Sequence, residues 1–470
     1  MRRRVLFSLV SLGVVWLLNA VGAAPPPAAA PRKIDGVPPG DPPRVLTRLF
    51  FQNHQDRIVR WADVRLDDQG RVKLSAPADI AGWKPLDVSK QTLVQMAESH
   101  GFLMVGVRDQ DGGKFESGWV LANTGVTHQD HGDHGHWYYK TPAVVDQRLD
   151  KEQGNPAHLY VYDGCFFLAN DAKNGYTRLN PSKYDNGQKD EPLFIKGGGN
   201  HITLAVVGGK VGYSTWIDGG GPNKGRVDVT PIRNSAPCEP AYAIVLPSGG
   251  LHGATAAAGK VFFAPLAGLC WVEADLNVTA KPDQVTVHTI DLGKDGEKPL
   301  RTGAFATHDR WVLCVTGQGS ASKLVVIDAA AQEPTPQFVS LAGVSGTKPV
   351  TPVIMKTAAG RYLALVFHDR SPGSDAQDSL DVVDLDPNRD GNWSDAQLVK
   401  SLPVGPSAVS GHFGHHDAAA DADGRCAFIT NPGDGTIAVL SLKDLEFVAT
   451  FKVGGMPTMI IARGGLETED

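Results

Sequence analysis

Short apolar runs with a period of two residues recur from about residue 95 to the end of the chain, separated by turns rich in Gly, Asp and Asn. That alternation marks half-buried strands, and helical periodicity is nearly absent. The last unit is the clearest. His416-Asp-Ala-Ala-Ala-Asp-Ala-Asp-Gly-Arg leads into Cys426-Ala-Phe-Ile-Thr, then Gly435-Thr-Ile-Ala-Val-Leu-Ser-Leu, then Phe447-Val-Ala-Thr-Phe-Lys-Val-Gly-Gly. Four strands joined by tight turns make one blade of a β-propeller. Earlier copies begin at His158-Leu-Tyr-Val-Tyr, His201-Ile-Thr-Leu-Ala and His252-Gly-Ala-Thr-Ala. Further units start near His100, Gly303 and Thr351. A blade takes about 40 to 50 residues, so an all-β propeller of about seven blades is expected, with six to eight compatible with the spacing. A sandwich or barrel is the competing architecture, and recurrence without a composition break favours the propeller.

The ends of the chain read differently. Residues 1–23 have the layout of a signal peptide, with Arg2-Arg3-Arg4, an apolar run from Val5 to Leu18, and small residues Val21-Gly22-Ala23. The run falls short of the roughly 20 residues that span a bilayer, and Pro25-Pro26-Pro27 stops it. A periplasmic or secreted mature chain without a membrane span is expected. Residues 24–43, rich in Ala and Pro, read as a flexible leader. Residues 44–92 fit the repeat poorly and are expected to form an N-terminal extension packed on the disc, leaving 93–470 as the propeller. The segment from Gly455 to Arg463 looks like the start of another unit that closes the ring against the N-terminal part.

Composition sharpens this picture in three places. The 53 Gly and 32 Pro suit many tight turns. A net charge of -6 without a long single-sign block excludes nucleic-acid binding through a basic face. Five cysteines without a C-x-x-C pair exclude a Cys₄ zinc site and c-type haem attachment. Cys238 and Cys270 are a candidate disulfide, whereas Cys165, Cys314 and Cys426 sit in apolar runs and are expected as small buried side chains. A monomer is expected.

The 15 histidines carry the candidate chemistry. In a propeller the first strand of each blade lines the central channel, so residues at its start converge on one mouth. His158, His201, His252 and His416 occupy that place in their repeats, and neutral imidazoles suit Zn²⁺. His415 and Asp417 flank His416 and are expected to complete the shell or orient it. A second group, His128, Asp130, His131, Asp133, His134 and His136, alternates with Gly and reads as a mobile loop that folds around a divalent cation. A third, Asp386, Asn388, Asp390 and Asn392, follows the spacing of an EF-hand loop, with Gln397 where a bidentate Glu is needed, so only weak Ca²⁺ binding or a plain turn is expected. The common hydrolase and zincin motifs are missing.

With its signal peptide, repeated strands, His/Asp segment and terminal Gly414-His-His-Asp-Ala-Ala-Ala-Asp-Ala-Asp-Gly-Arg, the chain resembles the AztD-type periplasmic zinc chaperones over roughly residues 95–465. The resemblance implies a propeller that binds zinc and passes it to the solute-binding protein of a zinc ABC transporter. It carries over to His128, His131, His134 and His136 and to the His415-His416-Asp417 signature. The resulting reading is a metallochaperone and not an enzyme, delivering metal by ligand exchange from the loop while the channel-mouth site holds a reserve. A zinc-dependent enzyme at the channel mouth, with an open position activating water, and an interaction propeller without metal are the alternatives.

Overall fold

The computed structural model describes residues 32–34, 44–111, 113–132 and 135–466. The signal peptide and most of the leader lie outside the described residues.

The strands form eight blades, each an antiparallel sheet with its chain order running outward from the axis. The innermost strands touch their neighbours in a closed cycle, from Gln91–Ser99 through Pro156–Tyr162, Leu204–Val207, Ala254–Ala257, Ala306–His308, Val353–Lys356 and Ala418–Ala420 to Pro457–Arg463 and back to Gln91–Ser99. Eight blades fall at the upper end of the expected range. The additional blade, blade 1, is split between the two ends of the chain, and blades 2 to 8 follow in chain order from the one whose inner strand is Gln91–Ser99. The inner strand of blade 1 is Pro457–Arg463, which pairs antiparallel with Arg44–Asn53, followed outward by Ile58–Leu66 and Val72–Leu74. Residues 44–92 are therefore not an extension on the disc. Strands within them complete the ring, and they fit the repeat poorly because their inner strand is some 400 residues away in sequence.

There is no single core. Each of the eight seams between blades holds its own apolar cluster, and the alternation of side chains along a strand assigns residues to the two seams on either side. Leu49 and Phe51 pack against blade 8 through Cys426, Phe428 and Ile437, while Phe50 between them packs against blade 2 through Leu93 and Val105. Central strands buried on both faces explain the continuous apolar runs, such as Leu-Phe-Phe at 49–51. The leader contributes as well. Ile34 is buried in the seam between blades 1 and 8, with its amide bonded to Gly70 O at 3.2 Å and the Arg32 amide to Val448 O at 3.0 Å. That part of the expected flexible leader is docked. All five cysteines are free, so Cys238 and Cys270 are not joined. Cys314 and Cys426 are buried and Cys165 is half-buried.

Candidate metal centre

The inner strands all start on one face of the disc, and the residues leading into them line its mouth. His158 lies on the inner strand of blade 3, paired with Ala169. His201 precedes the inner strand of blade 4, its amide bonded to Gly199 O at 2.8 Å. His252 precedes that of blade 5, its amide bonded to Ala264 O at 3.0 Å. A fourth imidazole, His412, comes from the turn before blade 8. The ring centres of His158 and His201 are 4.6 Å apart, and those of His201 and His252 5.2 Å. His412 stands 5.5 Å from His252 and 6.0 Å from His201. Nε2 of His158 and Nε2 of His201 approach to 3.0 Å.

Ligand geometry gives these distances meaning. With Zn–N near 2.0–2.1 Å and tetrahedral angles, two ligating nitrogens lie about 3.3 Å apart and their ring centres about 5 Å apart. The His158–His201 and His201–His252 pairs stand near that spacing, while His252–His412, His201–His412 and His158–His252 are wider at 5.5, 6.0 and 6.1 Å. As the side chains stand, however, no group of three or more His, Cys, Asp or Glu among the described residues is closed enough to hold a metal ion. Rotation of the rings about their side-chain bonds is needed to bring all the lone pairs to one centre.

The outer contacts fix two of the tautomers. His201 donates Nδ1–H to Asp171 Oδ2 at 3.2 Å, and Asp171 is itself held by Arg108 at 3.1 Å and by the Ile202 amide at 3.0 Å. His252 donates Nδ1–H to Gly303 O at 3.1 Å. Each thereby carries its lone pair on Nε2, as metal-ligating histidines do; that of His201 accepts Nε2–H from His158 at 3.0 Å, a bond that a metal ion would replace. Burial, followed by the neighbouring imidazoles and Arg108, holds His158 well below the usual histidine range. Burial also lowers His252 and His412, in each case aided by the neighbouring imidazoles. His158, His252 and His412 are thus favoured in the neutral form, which is the ligating state.

The other sequence-predicted residues lie elsewhere. His416 is fully buried and donates Nδ1–H to Asp369 Oδ1 at 2.6 Å and Nε2–H to the Gly405 carbonyl at 2.9 Å. Both partners only accept, so the ring is an imidazolium without a lone pair to offer. Burial pushes its pKa down, but the Asp369 carboxylate outweighs this and raises it. His415 donates to the other oxygen of Asp369 at 2.8 Å. Burial alone would raise Asp369; the bonds from His415 and His416 hold it at about 2. Asp417 accepts from the amides of Ala418 at 2.9 Å and Ile460 at 3.0 Å, linking blade 8 to the closing strand, and burial raises it to about 6. These three residues tie blades 7, 8 and 1 together; none makes a ring contact with the four imidazoles, although His415 lies near enough to His412 to help lower it. His412, which sequence reasoning missed, takes the place that register had given to His416.

The His/Asp segment forms a hairpin of strands Val126–Asp130 and Gly135–Tyr139 inserted before the outer strand of blade 2. Asp133 and His134 lie outside the described residues. His128 packs on Trp137 at 4.4 Å and His131 meets His136 edge-on at 5.1 Å. The hairpin follows the end of strand Ser117–Asn123, which runs parallel to the inner strands, and Tyr139 donates to Gly465 O at 2.6 Å just past the closing strand. Both facts set it on the face opposite the imidazole mouth, about 20 Å away through the disc. Hairpin and cluster therefore do not form one site.

The loop with EF-hand spacing spends its oxygens on itself. Asp386 accepts from the amides of Asp390 at 3.0 Å and Gly391 at 2.9 Å, Asn388 from Asp390 at 2.9 Å, Asp390 from Asn392 at 2.8 Å, and Asn392 from Ser394 at 3.1 Å. These are nested side-chain turns that deliver buried Trp393 into the seam of blades 6 and 7.

An eight-bladed propeller carrying an imidazole cluster at one mouth is the class that fold and site define. No family model and no curated protein matches the sequence. Two solved structures of AztD from Citrobacter koseri, one of them the apo form, match in fold at TM-score 0.60 and 14% identity, over 91% of this chain and 99% and 100% of those chains. The chain is similar to AztD in its whole architecture. Among the described residues no helix is long and apolar enough to cross a membrane.

Proposed function

We propose that this protein is an exported zinc carrier that holds Zn²⁺ between His158, His201, His252 and His412 and hands it to a metal-receiving partner such as the solute-binding protein of a zinc transporter. The observation that carries the reading is the convergence of four imidazoles from three blades and one turn, two of them with Nδ1 tied off so that Nε2 faces the cluster. The likeness in fold to AztD supports it. Nitrogen donors suit zinc, although affinity order alone does not select it over copper or nickel. The signal-peptide pattern of residues 1–23 supports a periplasmic or secreted location. Four imidazoles brought to one ion would complete a tetrahedron and leave no open position for water, which supports a carrier rather than an enzyme.

The test is zinc content of the mature protein with chelator competition on the metal-free form. Wild type is expected to hold about one zinc tightly. The double variant His201→Ala/His252→Ala is expected to lose more than about 100-fold in affinity, because ligands outweigh the outer contacts whose loss costs about 10–100-fold. An unchanged affinity would remove the cluster from the reading. Transfer is then read by mixing the zinc-loaded protein with the metal-free partner and measuring exchange against the rate of spontaneous release.

A further inference from the structure

Three of the four imidazoles are rooted in the sheet, and one is not. His158, His201 and His252 are fixed by the bonds described above. His412 sits at the tip of a turn closed on itself, with the Ser410 amide bonded to Phe413 O at 2.9 Å and the Phe413 amide to Ser410 O at 3.2 Å. The base of this turn is pinched by the Ala408 amide on Gly414 O at 2.9 Å. Gly414 has φ +80, and a Cβ there would collide with the Ala408 carbonyl, so the pinch requires glycine. Residues 410–412 are exposed. The turn is braced on its far side by Phe413, whose ring stacks on His54 of blade 1 at 4.4 Å and 29°. His54 follows strand Arg44–Asn53, is buried, and its amide is bonded to Met456 O at 2.9 Å beside the closing strand.

This arrangement separates holding from release. A turn that is internally bonded moves as one body, and besides the rings of the cluster itself the Phe413–His54 stack ties it to the disc. We propose that residues 408–414 are a strap that adds His412 to a three-imidazole seat, and that Phe413 and His54 are positioning residues that keep it closed. The inference rests on the zinc reading above and deepens it by naming the ligand that leaves first. With the strap lifted the ion keeps three ligands and gains an open position, through which a partner's ligand enters.

The experiment is zinc release from the full-length mature protein into a chromophoric chelator, with Zn²⁺ alone as the probe. Phe413→Ala is expected to speed release by about tenfold or more, the usual scale for loss of an outer support. His54→Phe, which preserves a stacked ring, is expected to release at the wild-type rate. In a His412→Ala background, Phe413→Ala is expected to change nothing further, because the ligand it positions is gone. Equal acceleration by Phe413→Ala with and without His412, or no acceleration at all, would overturn the strap while leaving the seat intact. Failure of wild type to hold zinc would overturn both strap and seat, so the two failures are told apart by the wild-type arm.

Discussion

At the scale of single residues, the same amino acid takes opposite roles within four positions of the chain. His412 is a neutral ring among other rings, whereas His416 is a buried imidazolium between a carboxylate and a carbonyl. The difference is testable through stability. His416 has its pKa raised above the 6.5 of a free imidazole, so its contribution is complete below about pH 6.5 and is lost as pH rises through the raised value. His416→Ala is expected to cost about 3–5 kcal/mol at pH 6, as breaking a buried pair does, with a smaller gap from wild type at pH 9 and zinc capacity unchanged. Denaturant unfolding at the two pH values reads this directly, and a gap that widens with pH would exclude the imidazolium. The structure brings His158, His201 and His252 to one mouth, and their recurring place at the start of a repeat made that convergence legible. Sequence could not separate His412 from His416. That choice is made by Asp369, 47 residues upstream and on another blade, which captures His416 through a contact that no local pattern encodes.

At the scale of elements, the direction of the strands decides what the histidine hairpin can do. Inner strands begin at the imidazole mouth, and a segment inserted after the third strand of a blade must emerge on the other face. The spacing of His128 to His136 showed a polar, Gly-rich segment without showing its side of the disc, since that requires counting strands in a blade whose first strand the repeat had not revealed. Replacement of residues 128–136 by a short Gly/Ser link is expected to leave tight zinc binding within about twofold and folding stability within about 1 kcal/mol, because surface segments tolerate such changes. The anchors of the hairpin, Val126 against Gly464 and Tyr139 on Gly465, lie outside the deleted residues. Chelator competition and thermal unfolding of the deletion measure the two expectations. Loss of the tight site on deletion would mean that the hairpin reaches the mouth after all, against the topology. An unchanged tight site alongside slower transfer to a partner would give the hairpin a role on its own face.

At the scale of the whole molecule, stability depends on one seam that the chain makes last. Seven blades are continuous in sequence, but blade 1 exists only when Pro457–Arg463 adds to Arg44–Asn53. The closing strand buries Pro457, Thr458 and Ile460 and receives further packing on Met459 and Ile461. At about 1.5–3 kcal/mol for each well-buried apolar side chain, its removal costs roughly 5–9 kcal/mol, comparable with the whole stability of an ordinary domain. It also strips the edge of the strand carrying Leu49, Phe50 and Phe51, which invites pairing with other chains. A chain ending at residue 456 is therefore expected to aggregate or unfold and to lose tight zinc, even though every histidine of the cluster remains. Covalent order can be separated from closure. The Thr47 hydroxyl donates to Arg463 O at 3.2 Å, so the two ends of the ring lie side by side. A circular permutant that links residue 466 to residue 44 and opens the turn between Lys443 and Asp444 keeps every strand of the eight blades paired, giving up only the docked segment around Ile34. It is expected to fold and to bind zinc as wild type does. Calorimetry and metal content of the two proteins together decide the point: a stable, zinc-binding truncation would show that the ring does not need its closing strand, and a permutant that fails to fold would show that the order of blade assembly matters as much as the finished contacts.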